Sequence, residues 1–175
     1  RGDRNLATPL QEVTDPDFFS ADLDDALLDG TVDFCVHSLK DLPPARPAGI
    51  ACAALPVREN PRDVIVWRAD ITERLAAGRT LRLGSCSARR QRNVADFLRF
   101  ALPGIGRPPV LAFQPLRGPV DARLAALQLP RTAAGALDGV ILALAGLSRL
   151  WNDSAGRTVL EPFLKQTRRM VPPLA

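Results

Sequence analysis

The chain has no tyrosine, a single histidine, a single methionine, and aromatic residues at only 5% of 175. That scarcity, with no recognised nucleic-acid motif, argues against a protein that stacks nucleic-acid bases on aromatic platforms, even though the isoelectric point is near 9.6. Lysine is almost missing as well, with Lys40 and Lys165 the only two among 23 cationic residues. Long apolar runs are lacking. The stretch "GVILALAGL" falls well short of the roughly 18 to 20 residues that a membrane span requires. No basic stretch leading into a long apolar one opens the chain, and Cys35, Cys52 and Cys86 are odd in number without metal-ligand spacing. A cytoplasmic protein with no metal and no membrane partner is expected, and no internal repeat is visible.

What remains is ordinary for a globular chain: 46% hydrophobic and 24% charged residues, with a net charge of +4. This length suggests one domain or a little more, able to bury roughly 70% of its unfolded surface. Because the cations are nearly all arginine, carboxylate and phosphate ligands fit the composition, since a guanidinium presents a flat fork of donors to two oxygens at once.

Turn residues and apolar periodicity place the elements. Ser20 as N-cap, Leu23, Ala26 and Leu27 as an apolar face, and Gly30 as terminator predict a short helix. Strands are expected at Val32 to Val36, Ile50 to Ala54, Val64 to Trp67, Leu81 to Leu83, in "PVLAF" and in "GVILAL"; helices at Ile71 to Ala77, Ser87 to Phe100, Val120 to Leu127 and Ala145 to Leu150. The alternation predicts an α/β fold with mostly parallel sheet. In such sheets ligands bind beyond the carboxyl ends of strands, and four junctions there pair small residues with cations: "HSLKD", "GSCSARRQ", "QPLRGPVDAR" and "AGLSRL". The last three should lie on one sheet, with Arg89, Arg117 and Arg149 near its ligand edge. Arg89 and Arg90 occupy a helix's first turn, where the dipole disfavours cations by a few tenths of a kcal/mol or more. Either a bound anion or an acid from another element would compensate them.

In "HSLKDLPP", His37, Ser38, Lys40 and Asp41 share one turn after an apolar run. Taken singly, each reads as a turn or surface residue. An aspartate at a strand's carboxyl end facing arginine-bearing junctions would stay ionised and could stabilise positive charge developing on a substrate.

The segments "VHSLKDLP", "RENPRDVIV", "GSCSARRQ", "LRGPVDARL" and "ILALAGLSRL" resemble, in order and spacing, the porphobilinogen deaminase (hydroxymethylbilane synthase) family. The resemblance implies two α/β domains like type II periplasmic binding proteins plus a small third domain. It also implies a transferase joining four porphobilinogen units, with loss of ammonia, on a dipyrromethane cofactor held by a cysteine. Asp41 matches the family's catalytic aspartate. Lys40, Arg89, Arg90, Arg117, Arg123 and Arg149 match positions binding the cofactor's acetate and propionate groups, and Ser87 matches a hydroxyl residue beside them. The implied partners are porphobilinogen and polypyrrole intermediates, and a monomer is expected.

The chain departs from the family pattern at "TDPDFFS", which replaces a cationic lid motif, at Cys86, where serine is usual, and at Pro119, where asparagine is usual. Residues 1–66 are expected to form an incomplete first domain, 67–160 a second domain, and 161–175 a segment returning to the first. The third domain, with its cofactor cysteine, is expected to be missing, leaving the chain inactive alone. A catalytically inactive binding module for an anionic small molecule is the alternative. None of the three cysteines is expected to carry the cofactor, with Cys35 and Cys52 placed inside buried strands.

Overall fold

A computed structural model describes residues 20–102 and 108–173, apart from the Lys40 side chain. Most of "TDPDFFS" and the Pro/Gly-rich loop after Leu102 lie outside the described residues. The chain divides into two compact units, residues 1–57 and 58–175. The boundaries expected at 66/67 and 160/161 instead cut through a strand and a helix of the second unit.

In the first unit, α1 (Ala21–Leu28) ends at Gly30, whose φ of 76° suits the left-handed position after a helix. Asp24 on α1 is buried and pairs with Arg46. The expected strands Val32 to Val36 and Ile50 to Ala54 are not strands. Among the described residues no strand pairs with them, and Phe34 and Val36 are exposed to 77% and 86%. β-favouring side chains make extended backbone cheap, but a strand exists only when a ladder partner takes its N–H and C=O groups.

The second unit is a five-stranded sheet covered on both faces. Its strands are β1 (Asp63–Arg68), β2 (Leu81–Gly84), β3 (Leu111–Gln114), β4 (Gly139–Ala143) and β5 (Thr167–Met170), in spatial order β3-β2-β4-β1-β5. The pairs β2/β3 and β2/β4 are parallel, while β1 runs antiparallel to both β4 and β5. Four strands therefore point one way and β1 is reversed, so the sheet is mixed. The four strands expected to share a sheet do so.

Period-two alternation explains why β1 is apolar throughout. Val64 and Val66 face a core with Leu124, Leu142, Leu147 and Leu160, whereas Ile65 and Trp67 face one with Leu81, Leu83, Val94 and Leu98. The first core is roofed by α4 (Val120–Ala125), α5 (Leu144–Asn152) and α6 (Ser154–Leu164), the second by α2 (Ile71–Ala76) and α3 (Ala88–Ala101). Sequence reading did not place α6 and β5. The available signals were Asp153, which caps α6 by accepting from Gly156 N at 2.7 Å, and the apolar pair Leu160 and Leu164 four residues apart.

The edge where β1 ends is closed by charge pairs. Arg131 donates from Nε to Asp70 Oδ2 at 3.1 Å and from Nη1 to Asp138 Oδ1 at 2.5 Å. Asp138, fully buried, also accepts from the Arg82 backbone N–H at 2.8 Å. The Arg131 hydrogen bond holds the Asp70 carboxyl below its ordinary value of 3.8, outweighing the opposing push from burial.

Two outcomes follow from this packing. A Cβ on Gly139 would sit 2.6 Å from Trp67 Cε3 and 2.8 Å from Leu83 Cδ2, so Gly139→Ala should destabilise the second unit by about 1–3 kcal/mol in denaturant melts. A lowered carboxyl pKa stabilises the fold above its unfolded value, and that stabilisation is lost as pH falls through the folded value. Urea midpoints should therefore decline from about pH 5 downward, and Arg131→Gln should lower the neutral-pH midpoint while flattening that decline.

Candidate functional site

In the first unit, one turn carries Asp41. Leu39–Asp41 is a single 3₁₀ turn, closed by the Asp41 N–H donating to Ser38 O at 2.9 Å. Pro43 and Pro44 follow and cannot extend it. Asp41 is half-buried and lies on this turn rather than at a strand end. The Lys40 side chain lies outside the described set.

The second unit gathers its candidates at the carboxyl ends of the parallel strands. After β2, Ser85 Oγ accepts from Ser87 N at 3.2 Å, Gln91 Nε2 donates to Ser85 O at 2.7 Å, and Ser87 Oγ accepts from Arg90 N at 3.4 Å as the N-cap of α3. The loop's hydroxyls thus occupy the Ser87 and Arg90 backbone N–H groups. Gly84 has no side chain because a Cβ would lie 2.6 Å from both Leu116 Cδ2 and Leu137 Cδ1. Leu116 therefore packs on the end of β2 and carries Arg117 beside this loop. Arg117 itself is exposed, and Gly118 after it has a φ of 107°, a conformation that favours glycine.

The cations converge to different degrees. Arg90 Nε lies 2.9 Å from Asp63 Oδ1, and Arg89 Nη2 lies 3.6 Å from Asp63 Oδ2. Asp63 opens β1, and because β1 is reversed it sits opposite Ala143, at the same edge as the starts of α3 and α5. An acid from another element thus compensates the first-turn arginine pair. Arg123 donates from Nε to Gly118 O at 2.6 Å. Burial lowers its basicity first and the nearby Arg90 charge second, with Cys86 acting the other way. Arg149 is exposed in the last turn of α5, about one and a half turns beyond the end of β4. Sequence reasoning passed over Asp63 as the partner of this arginine pair; an acid opening an otherwise apolar strand was the available signal.

A cavity of about 460 Å³, lined by Arg68, Asp70, Leu127, Phe163 and Thr167 among others, lies at the opposite edge and holds none of these residues. Among the described residues no His, Cys, Asp and Glu cluster could hold a metal ion, and no helix is long and apolar enough to cross a membrane. The cysteine expectation needs correction. Cys35 and Cys52 are in no strand, Cys35 and Cys86 are half-buried, and Cys52 is exposed, so burial does not silence its thiol.

The family model described as "Porphobilinogen deaminase, dipyromethane cofactor binding domain" matches residues 1–175. The chain belongs to the porphobilinogen deaminase family. Porphobilinogen deaminase 1 of Streptomyces avermitilis is 44% identical over 145 residues, covering 81% of this chain and 41% of that protein. Porphobilinogen deaminases of Sorangium cellulosum and Caulobacter vibrioides are 38% and 39% identical over 162 residues, covering 92% of this chain and 48% and 45% of theirs. The chain thus spans somewhat under half the length of these curated relatives.

The Ser87 cap fixes where α3 begins and hence where Arg89 and Arg90 project. Ser87→Ala should cost about 1 kcal/mol of second-unit stability, measurable as a lower urea midpoint with unchanged slope.

Proposed function

We propose that the chain is the part of a porphobilinogen deaminase that holds the dipyrromethane cofactor and supplies the catalytic carboxylate. The whole protein is then a hydroxymethylbilane-synthase-type transferase of tetrapyrrole and heme biosynthesis, polymerising four porphobilinogen units with release of ammonia. The single observation supporting this reading is the arrangement at the carboxyl edge of a family member, where Arg89 and Arg90 share Asp63 and Arg123, near enough to Arg90 to feel its charge, donates to the backbone of the turn that follows Arg117. The donor chemistry fits the cofactor, because each pyrrole bears two carboxylates and guanidinium forks pair with carboxylates two oxygens at a time.

On this reading Lys40, Ser87, Arg89, Arg90, Arg117, Arg123 and Arg149 hold acetate and propionate groups. When bound, the cofactor supplies the chain end onto which the first substrate unit is joined. Asp41 stabilises the positive charge that departing ammonia leaves on a pyrrole, and as an ionised acceptor it also takes the pyrrole N–H. A type II periplasmic-binding-protein-like arrangement, a cytoplasmic location and a monomeric state belong to the same proposal. So does inactivity of these 175 residues alone, since the matching relatives are about twice as long.

The test is Asp41→Asn in the whole protein, which keeps the shape and removes the charge. Elongation of porphobilinogen should fall by roughly 10² to 10³, typical for loss of one preorganised electrostatic group, while the purified variant still carries the dipyrromethane mass. Elongation at the unaltered rate would remove Asp41 from the chemistry.

A further inference from the structure

The arginine pair at the start of α3 already has an anion. Asp63 is largely buried, with 9% of its side chain exposed, and it takes the Arg90 Nε–H at 2.9 Å while Arg90 is itself only 21% exposed. Arg89 is held loosely, at 3.6 Å, and is 62% exposed. Two neighbouring arginines therefore stand in unequal states: one gives its Nε–H to an internal carboxylate and one is open to solvent.

We propose that Asp63 is a specificity-determining residue of this edge: a resident counter-ion that occupies the Nε–H of Arg90, leaves Arg89 as the leading arm for a ligand carboxylate, and keeps small inorganic anions from bridging the pair. The inference rests on the reading of this edge as the carboxylate-binding part of a porphobilinogen deaminase. Three physical facts support it. Without Asp63, two guanidiniums in one helix turn would face the positive end of the α3 dipole uncompensated. Arg90 also lies close enough to Arg123 to lower its basicity, so neutralising Arg90 eases a second repulsion. A compact polyanion gains most where two forks are free together, whereas a pyrrole with its carboxylates on separate arms can use forks on separate turns. Holding Arg90 back therefore penalises the compact anion more than the extended one.

The experiment uses the 175-residue chain with inorganic pyrophosphate as the probe, by isothermal titration at low salt. Asp63→Asn should tighten pyrophosphate binding roughly three- to tenfold, whereas Asp63→Glu, which keeps the carboxylate, should stay near the wild-type affinity. The gain should vanish in Asp63→Asn/Arg90→Gln, because it acts through the released Arg90. In the unaltered background, Arg89→Gln should weaken binding more than Arg90→Gln does, a comparison that holds even if Asp63→Asn fails to fold. No gain in Asp63→Asn, a gain that survives loss of Arg90, or a larger loss from Arg90→Gln than from Arg89→Gln would each overturn the proposal. Pyrophosphate binding is independent of porphobilinogen chemistry, so an inactive whole protein would sink the functional reading and leave this result standing.

Discussion

The reversal of β1 is the constraint on which the second unit depends. A strand buried on both faces must be apolar along its length, and β1 is, from Val64 to Trp67. Running antiparallel between β4 and β5, it delivers its first residue to the edge where the parallel strands end. A parallel β1 would have carried Asp63 to the opposite edge, leaving Arg89 and Arg90 to face the α3 dipole without that partner. One choice of strand direction thus joins the core to the electrostatics of the site.

The two edges of the sheet treat charge differently. Where β1 ends, Arg131 and Arg74 meet Asp70 and the fully buried Asp138, and the carboxylates are tied to guanidiniums and to the Arg82 backbone N–H. Burying a charge is tolerable only with such partners, and they are what let Asp138 lie within the core. Where the parallel strands end, Asp63 serves both Arg89 and Arg90, Arg123 leans on a backbone carbonyl, and Arg117 stays exposed beside a glycine turn. Among the residues named, guanidiniums outnumber carboxylates where the parallel strands end and balance them where β1 ends.

Small residues set this geometry as much as charged ones. Gly84 admits Leu116 and so brings the Arg117 turn against the Ser85–Ser87 loop, and Gly139 admits Trp67 and Leu83 across the other face. Neither glycine has a positive φ, so both serve close approach rather than turn geometry.

The strands around Ile65, Leu83 and Ile141, and the helices carrying Leu98 and Leu147, were legible because short apolar runs and helical spacing are local properties. So were the family and its candidate residues, since "VHSLKD" and "LRGPVDARL" are contiguous motifs. Tertiary pairing alone decided that Phe34 and Val36 form no strand, because their side chains favour extended backbone but a ladder requires a second chain segment in register. It also decided that the sheet is mixed, for strand direction leaves no trace in the composition of a strand buried on both faces. Asp63 marks the same division. Its charge is written in the sequence, but its meeting with Arg90, 27 residues along the chain, exists only because an antiparallel strand brings its beginning to the place where its neighbours end.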